Sequence, residues 1–144
     1  MLGRALIDSA VFVYAVGTDH RYREPSRLIV HALARNDFQG EASVEVVQEF
    51  LHQRVRRTGD RVDAVRLARH VAGLCPLHDV TVADLRMALE LFGRHDALQA
   101  RDAIHAATAV NRGITAIISP DTDFDGLEQL LRIDPVDAAS ALAG

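Results

Sequence analysis

Acidic residues beside apolar segments are the side chains of this sequence that are best suited to chemistry. Asp8 follows one short apolar run, and Asp121 and Asp123 follow another. Asp102 interrupts a segment that otherwise consists mostly of alanine and other apolar residues. An ionised carboxylate that is moved out of water is strongly destabilised or shifts its pKa, and clustered carboxylates also repel one another. These acids therefore need a compensating positive charge.

A divalent metal ion would supply that charge. Carboxylate and water oxygens without thiolates favour hard ions such as Mg²⁺, with Mn²⁺ as a substitute, over Zn²⁺. The histidines other than His105 show no paired spacing of the kind that zinc sites use. The pattern predicts an oxygen-ligated site for Mg²⁺.

Each of these residues also has a purely structural explanation. Asp8 could cap the helix that follows it, and Asp102 could be a first-turn carboxylate favoured by the helix dipole. Glu49 lies opposite the apolar stripe of its helix, which is typical of an ordinary solvated face. His105 lies one turn from Asp102 and could be a ligand, although a lone histidine on an alanine-rich helix is more often structural. Periodicity alone favours the structural explanation for Glu49 and leaves the alternatives for Asp8 and Asp102 open.

The segment 121–126 matches the opening of an EF-hand calcium loop but not its end. Such a loop needs a bidentate Glu at its twelfth position, which is Arg132 here, and it follows a helix rather than a β-type run. Ser9 lacks the glycine-bounded strand-turn-helix context of a hydrolase nucleophile. Calcium binding of the EF-hand kind and serine catalysis are therefore both disfavoured.

The hydrophobic periodicity predicts strands that alternate with helices. The predicted strands are 4–7, 38–42, 77–80, 114–119 and 130–133. The predicted helices are 11–16, 25–36, 44–57, 60–73, 82–92 and 98–111. Ser43 and Asp60 are expected to cap the third and fourth helices. This alternation indicates an α/β fold, a three-layer α/β/α sandwich with a central, mainly parallel sheet of four to five strands.

The predicted sheet brings two of the acids together. In an open parallel sheet the ligand site lies beyond the carboxyl ends of the strands, and both Asp8 and Asp121 occupy that position. Asp102 has Ala106 and Ala109 one and two turns further along its helix, so its carboxylate should emerge from a buried face. Topology and burial therefore point to Asp8, Asp102 and Asp121 before any other residues.

Length and composition indicate one domain. The chain has 144 residues, of which 49% are hydrophobic, and we expect a single domain over residues 1–144. The small residues of 137–144 are expected to fray. Cys75 is the only cysteine and cannot form an internal disulfide, which favours a reducing cytoplasm. No apolar run is long enough to span a membrane.

The charge pattern leaves two interpretations open. The net charge is −4 and the isoelectric point is about 5.9, so the whole chain does not have the balance of a nucleic-acid binder. All 16 basic residues are arginines, and six of them lie between Arg54 and Arg69. They form either an ordinary solvated helix face or a surface for phosphate or a partner.

Four motifs, in this order and spacing, resemble the PIN domain, and specifically the small VapC-type toxins of toxin–antitoxin pairs. They are Leu6-Ile7-Asp8-Ser9, Ser43-Val44-Glu45-Val46-Val47-Gln48-Glu49-Phe50, Arg101-Asp102-Ala103-Ile104-His105-Ala106-Ala107 and Ile117-Ile118-Ser119-Pro120-Asp121-Thr122-Asp123-Phe124. The resemblance extends from Leu6 to Phe124.

This resemblance implies a Mg²⁺-dependent endoribonuclease that cuts tRNA or rRNA and inhibits translation. Asp8 and Asp102 would be central metal ligands, and Ser9 and Ser119 would be supporting hydroxyls. The other acids implied in the site are Glu49, Asp121 and Asp123. A homodimer bound by a VapB-type antitoxin, as a heterotetramer or larger complex, is also implied. The alternatives are a housekeeping PIN-domain RNA-processing nuclease, a non-catalytic partner-binding module and a metal-dependent phosphatase for small phosphate esters.

Overall fold

Five short parallel strands form the centre of the molecule, as seen in a computed structural model that describes residues 2–144. The strands are β1 (Ala5–Ile7), β2 (Gly40–Ser43), β3 (Leu77–His78), β4 (Ala116–Ile118) and β5 (Leu131–Ile133). Their order in the sheet is β3-β2-β1-β4-β5, and each neighbouring pair is parallel. The chain therefore crosses from β2 and β3 on one side of β1 to β4 and β5 on the other.

Within residues 2–144, seven helices connect and cover these strands. They are α1 (Ser9–Ala15), α2 (Arg23–Ala34), α3 (Val44–Thr58), α4 (Arg61–Ala72), α5 (Val82–Arg94), α6 (Ala100–Asn111) and α7 (Pro135–Ala143). The predicted caps are confirmed, because Ser43 Oγ accepts from the Val46 amide at 3.2 Å and Asp60 Oδ1 accepts from the Asp63 amide at 3.0 Å. Gly59 ends α3 with a φ of 69°, a conformation that glycine adopts without strain.

The two faces of the sheet bury different side chains. On one face Leu6 and Ile117 pack under α5 and α6. On the opposite face Ala5, Ile7 and Ile118 pack under α1, α2, α3, α4 and α7. This alternation is what a pleated strand produces when helices cover both of its sides. The predicted α/β/α sandwich with a parallel sheet is confirmed.

The C-terminal segment is ordered, so the prediction that residues 137–144 fray is wrong. Asp134 Oδ1 accepts from the Val136 amide at 2.9 Å, and Pro135 occupies the first turn, which together start α7. Ala138 and Ala139 are buried where α7 packs against α2. The small side chains that suggested fraying instead allow close helix packing.

Several predicted boundaries move by a few residues. The first helix begins at Ser9 rather than Val11, and the strand expected at 38–42 is Gly40–Ser43. The strand expected at 114–119 is Ala116–Ile118, although the Thr115 carbonyl and the Ser119 amide still bond to Leu131 and Ile133 of β5. Within residues 2–144, no helix combines the length and the apolar character needed to cross a bilayer.

Candidate metal centre

Asp8 lies where β1 and β4 end side by side. Ile7 pairs with Ile118 across the two strands, and the Asp8 amide donates to the Ile118 carbonyl at 3.0 Å. The Asp8 carboxylate is buried, and its Oδ2 accepts a hydrogen bond from Ser119 Oγ at 2.7 Å. It makes no side-chain cap to α1, all of whose residues are described. The helix-cap explanation of Asp8 is therefore wrong.

The loop after β4 carries two more acids toward this position. Ser119 Oγ accepts from the Asp121 amide at 3.0 Å, and Asp121 Oδ1 accepts from the Asp123 amide at 2.9 Å. These bonds close a 3₁₀ turn, Thr122–Phe124, which the fully buried Phe124 ring anchors to the core. One serine hydroxyl therefore links Asp8 to the loop that positions Asp121 and Asp123.

Asp102 reaches the same place from the first turn of α6. The side chains of Asp102, Asp121 and Asp123 can each offer a carboxylate oxygen within 4.8 Å of the others. Burial and the negative charges of Asp121 and Asp8 together raise the pKa of Asp102 to about 6. Burial also raises the pKa of Asp8 above its usual range, although His105 and Ser119 oppose the change. These acids repel one another in the space that they share.

Glu49 faces inward, so its expected position on a solvated helix face is wrong. Its side chain is 14% exposed, and its Oε2 accepts a hydrogen bond at 2.8 Å from Nε2 of His105, which is completely buried. Burial disfavours ionisation of Glu49, but the bond from His105 and the Ser9 hydroxyl outweigh it and lower its pKa. Burial likewise opposes the charge on His105, yet Glu49 and Asp8 raise its pKa. The two side chains form a hydrogen-bonded pair, which is an ion pair when His105 is protonated.

Comparison with known protein families gives a match that covers most of the chain. The sequence model of the PIN domain family matches residues 5–130 of this chain. The chain belongs to the PIN-domain family. Ribonuclease VapC7 of Mycobacterium tuberculosis is 36% identical to this PIN domain over 140 residues, which cover 96% of this chain and 95% of that protein.

Two solved structures share the fold of this PIN domain. VapBC2 from Rickettsia felis, bound to a DNA fragment from its promoter, superposes with a TM-score of 0.69 at 14% identity over 90% of this chain and 96% of that chain. The Mycobacterium tuberculosis VapC20 structure, described as a sarcin–ricin loop cleaving toxin, gives a TM-score of 0.64 at 22% identity over 85% of this chain and 90% of that one. The architecture of the sheet and its helices is therefore shared by toxin structures.

Every acid that sequence and resemblance indicated for this PIN domain lies at the carboxyl edge of the sheet, but the five are not equivalent. Among residues 2–144, the tight oxygen group consists of Asp102, Asp121 and Asp123. Asp8 and Glu49 stand beside that group and act on Asp102 through their charges. Asp123, which neither topology nor burial had singled out, thus belongs to the tight group.

His105 is the residue whose role the sequence did not reveal. The sequence left it as either a metal ligand or a structural core residue, whereas its Nε2 is occupied by Glu49. The only available signal was its position one turn after Asp102. Its partner Glu49 is 56 residues away in the chain, and local periodicity carries no information about that contact.

The donor set of this PIN domain fits a divalent cation. The candidate ligands Asp102, Asp121 and Asp123 offer carboxylate oxygens, and within residues 2–144 Asp102 has no hydrogen bond or salt bridge to a basic side chain, although His105 acts on it through its charge. The raised pKa of Asp102 shows that its ionised form is under-compensated. A cation between these oxygens would offset the burial and the repulsion that together raise this pKa.

Proposed function

We propose that this PIN domain is an endoribonuclease that acts as the VapC-type toxin of a type II toxin–antitoxin pair. The observation that carries the proposal is the group of Asp102, Asp121 and Asp123 carboxylates at the open edge of a parallel sheet. The near full-length similarity to Ribonuclease VapC7 supports the same activity. Because the RNAs of translation are its proposed substrates, we expect the protein to act in the cytoplasm.

Mg²⁺ is the proposed cofactor, and Mn²⁺ is expected to replace it. Hard oxygen ligands without thiolates or paired histidines suit these ions. The residues proposed to hold the metal are Asp8, Glu49, Asp102, Asp121 and Asp123. When bound, the ion would favour ionisation of a nearby water and offset the charge that develops on the phosphate.

The side chains around the site have distinct proposed roles. Asp8 is oriented by Ser119 and Glu49 by His105, so both carboxylates are held in one direction before substrate arrives. Glu49, kept ionised by His105, is placed to orient the attacking water and accept its proton. Attack of that water on phosphorus breaks the bond to the 3′ oxygen, which takes up a proton from solvent, so the products carry a 5′-phosphate and a 3′-hydroxyl.

The proposed substrate is structured RNA of the translation apparatus, either a tRNA or a ribosomal loop. The similarity in fold to VapC20, a toxin that cleaves the sarcin–ricin loop, supports this class. Sequencing 5′-phosphate ends from cells that express the protein would identify the cleaved RNA. We expect one dominant end in the parent and none with Asp8→Asn, while the exposed-acid control Asp37→Asn cleaves normally.

A result in which Asp8→Asn cuts RNA like the parent would overturn the ribonuclease proposal. Toxicity that persists after Asp102→Asn would favour a non-catalytic module that only binds partners. Turnover of small phosphate esters in preference to RNA would favour a phosphatase. A side-by-side assay of the parent with both substrates therefore separates the candidates.

An antitoxin of the VapB type is the proposed partner. The fold is shared with solved toxin–antitoxin structures, including VapBC2 from Rickettsia felis. The chain has a net charge of −4, and its acidic centre opens at the edge of the sheet. A basic side chain from the antitoxin could therefore occupy the position of the metal. We expect a partner peptide that contains arginine to compete with Mn²⁺ for the site.

A second copy of the chain is proposed to cover the outer face of α5. Val82, Leu85, Leu89 and Phe92 are exposed there at helical spacing, by 63%, 48%, 62% and 49%. An antiparallel two-fold arrangement would place Val82 of one copy against Phe92 of the other and Leu85 against Leu89. Arg86 and Glu90 beside this stripe would then meet with opposite charges. We expect sedimentation to show a dimer for the parent and a monomer for Leu89→Asp.

A further inference from the structure

Both tyrosines of the chain lie in one small cluster with a histidine and an arginine. The ring centroids of Tyr14 and His20 are 4.5 Å apart, with 24° between the ring planes, and those of His20 and Tyr22 are 5.8 Å apart. The guanidinium carbon of Arg21 lies 4.5 Å from the centroid of the Tyr22 ring. We call Tyr14, His20, Arg21 and Tyr22 the aromatic cluster. The connection between α1 and α2 thus carries an unusual share of the π surface of a chain with 5% aromatic residues.

Hydrogen bonds place the aromatic cluster at the edge of the sheet that holds the acids. Tyr22 Oη donates to Asp134 Oδ2 at 2.8 Å, and Asp134 follows β5 directly. From the middle of the same strand, Arg132 Nη1 donates to the Ser119 carbonyl at 3.1 Å. Ser119 in turn donates to Asp8. Tyr22 and Asp8 are therefore joined by a short chain of contacts along the carboxyl ends of β5, β4 and β1.

The aromatic cluster presents surface that a ligand could contact. His20 and Arg21 are exposed, and Tyr14 is half-buried. The Tyr22 amide donates to His20 Nδ1 at 3.2 Å, which leaves the Nε2–H of the neutral ring as its donor. The His20 ring is held in place through Nδ1, while Nε2–H can donate a hydrogen bond to a polar group of a ligand.

Cations flank the same connection. Arg54 Nη1 donates to the Val16 carbonyl at 3.4 Å, and the Arg57 guanidinium lies against Gly17. Both belong to the arginine-rich segment of α3 and α4, for which the sequence left a phosphate-binding role open. The aromatic rings and positive charges therefore lie together on the connection that Tyr22 ties to the carboxyl end of β5.

We propose that the aromatic cluster is a nucleobase-binding subsite, which takes an unpaired base of the RNA near the phosphate that is cut. The proposal rests on the proposed ribonuclease function. Proteins recognise single-stranded loops by stacking splayed bases on aromatic rings and guanidinium planes, and arginines beside them bind the backbone. His20 supplies an exposed ring and a donor, Arg21 a guanidinium plane, and Arg57 a charge for a neighbouring phosphate.

Binding without cleavage tests this subsite. In the Asp102→Asn background, single-stranded RNA with 2-aminopurine at successive positions would be titrated with protein. We expect fluorescence quenching at one position, because stacking quenches this base. His20→Ala should abolish the quenching and weaken binding about tenfold, within the range for loss of one stacked base. His20→Tyr should restore both, and His52→Ala, which removes an exposed histidine of α3, should change neither.

An abasic site in the RNA provides a test that does not depend on protein folding. Removing the quenched base should weaken binding to the parent about tenfold, and His20→Ala should add little further loss, because both changes remove the same interaction. Additive losses in this double-mutant cycle, or quenching that survives in His20→Ala, would overturn the subsite. A parent that stacks the base but never cuts RNA would instead overturn the ribonuclease proposal alone.

Discussion

Asp84 and Asp102 occupy the same position, the third residue of two neighbouring helices, and their surroundings are opposite. Asp84 starts α5 and accepts bonds from the Thr81 amide, Asn111 Nδ2 and Arg112 Nη1, each at 2.9 Å. Burial alone would raise its pKa, but the bond from Arg112 and the others lower it to about 2. Asp102 starts α6, and burial together with the charges of Asp121 and Asp8 raises its pKa to about 6.

This difference separates a carboxylate that stabilises the fold from one that serves a ligand. Asp84 has three donors, one of them a cation, so the structure of the chain itself satisfies it. Asp102 lies among acids whose charges disfavour its ionised form, and His105 opposes them only in part, so a cation from outside the chain would stabilise that form. Both are acids in the first turn of a helix, so the sequence position alone cannot distinguish them.

Replacing Asp102 should produce the largest change in activity. We expect Asp102→Asn to slow RNA cleavage about 1,000-fold, the upper range for loss of one electrostatic group in an active site. The unfolding temperature of the metal-free protein should not fall, because the substitution removes a repelled charge. Rates measured under single-turnover conditions with excess protein would check this. A cleavage rate within tenfold of the parent rate would show that Asp102 is not part of the active site.

Replacing Asp84 should lower the stability of the protein and leave its cleavage rate unchanged. Asp84→Ala is expected to destabilise the protein by about 3 kcal/mol, because it leaves Arg112 without its buried partner. The cleavage rate of the remaining folded protein should stay close to that of the parent. Denaturant unfolding followed by circular dichroism, with cleavage measured on the same sample, separates the two effects. An unchanged free energy of unfolding would show that Asp84 does not stabilise the fold.

Replacing His105 should give an intermediate effect. His105→Gln retains a donor for Glu49 but cannot carry a positive charge, and we expect about a tenfold loss of cleavage, typical of groups that orient a ligand residue. Mn²⁺ affinity, measured by calorimetry, should fall as well, which a merely structural role would not cause. His52→Gln is the matched control on the exposed face of α3. If His105→Gln binds Mn²⁺ as tightly as the parent, His105 has only a packing role in the core.

The pH dependence of stability should be the smallest effect. The pKa of Asp102 is raised to about 6 in the folded protein, so the stability from its protonated form is complete below about pH 4 and is lost as pH rises through 6. The metal-free protein should therefore unfold at a lower temperature at pH 7 than at pH 5, and Asp102→Asn should reduce that difference. The stability from Asp84 is lost only as pH falls toward 2, outside this window.

Thermal unfolding with and without Mn²⁺ would check the pH prediction. Saturating Mn²⁺ should raise the unfolding temperature more at pH 7 than at pH 5, because protons compete with the metal for Asp102. An identical metal effect at the two pH values would contradict the raised pKa. Asp37→Asn, which alters an exposed acid, serves as the control.

The sequence predicted those parts of the fold and site that depend on local pattern. Alternating strands and helices located Asp8 and Asp121 at the carboxyl ends of strands, and capping residues located α3 and α4. The inward position of Glu49 depends on His105, 56 residues away, and the compensation of Asp84 depends on Arg112, 28 residues away. Neither contact leaves a periodic signal, and the burial of α7 depends on a surface of α2 that composition does not reveal.

The most direct test is a calorimetric titration of Mn²⁺ into the parent protein, Asp102→Asn and Asp84→Asn at pH 7. The parent and Asp84→Asn should bind the metal alike, whereas Asp102→Asn should bind at least about tenfold more weakly. Equal binding by all three proteins, or no binding by the folded parent, would contradict the conclusion that the uncompensated acids at the edge of the sheet form a metal site.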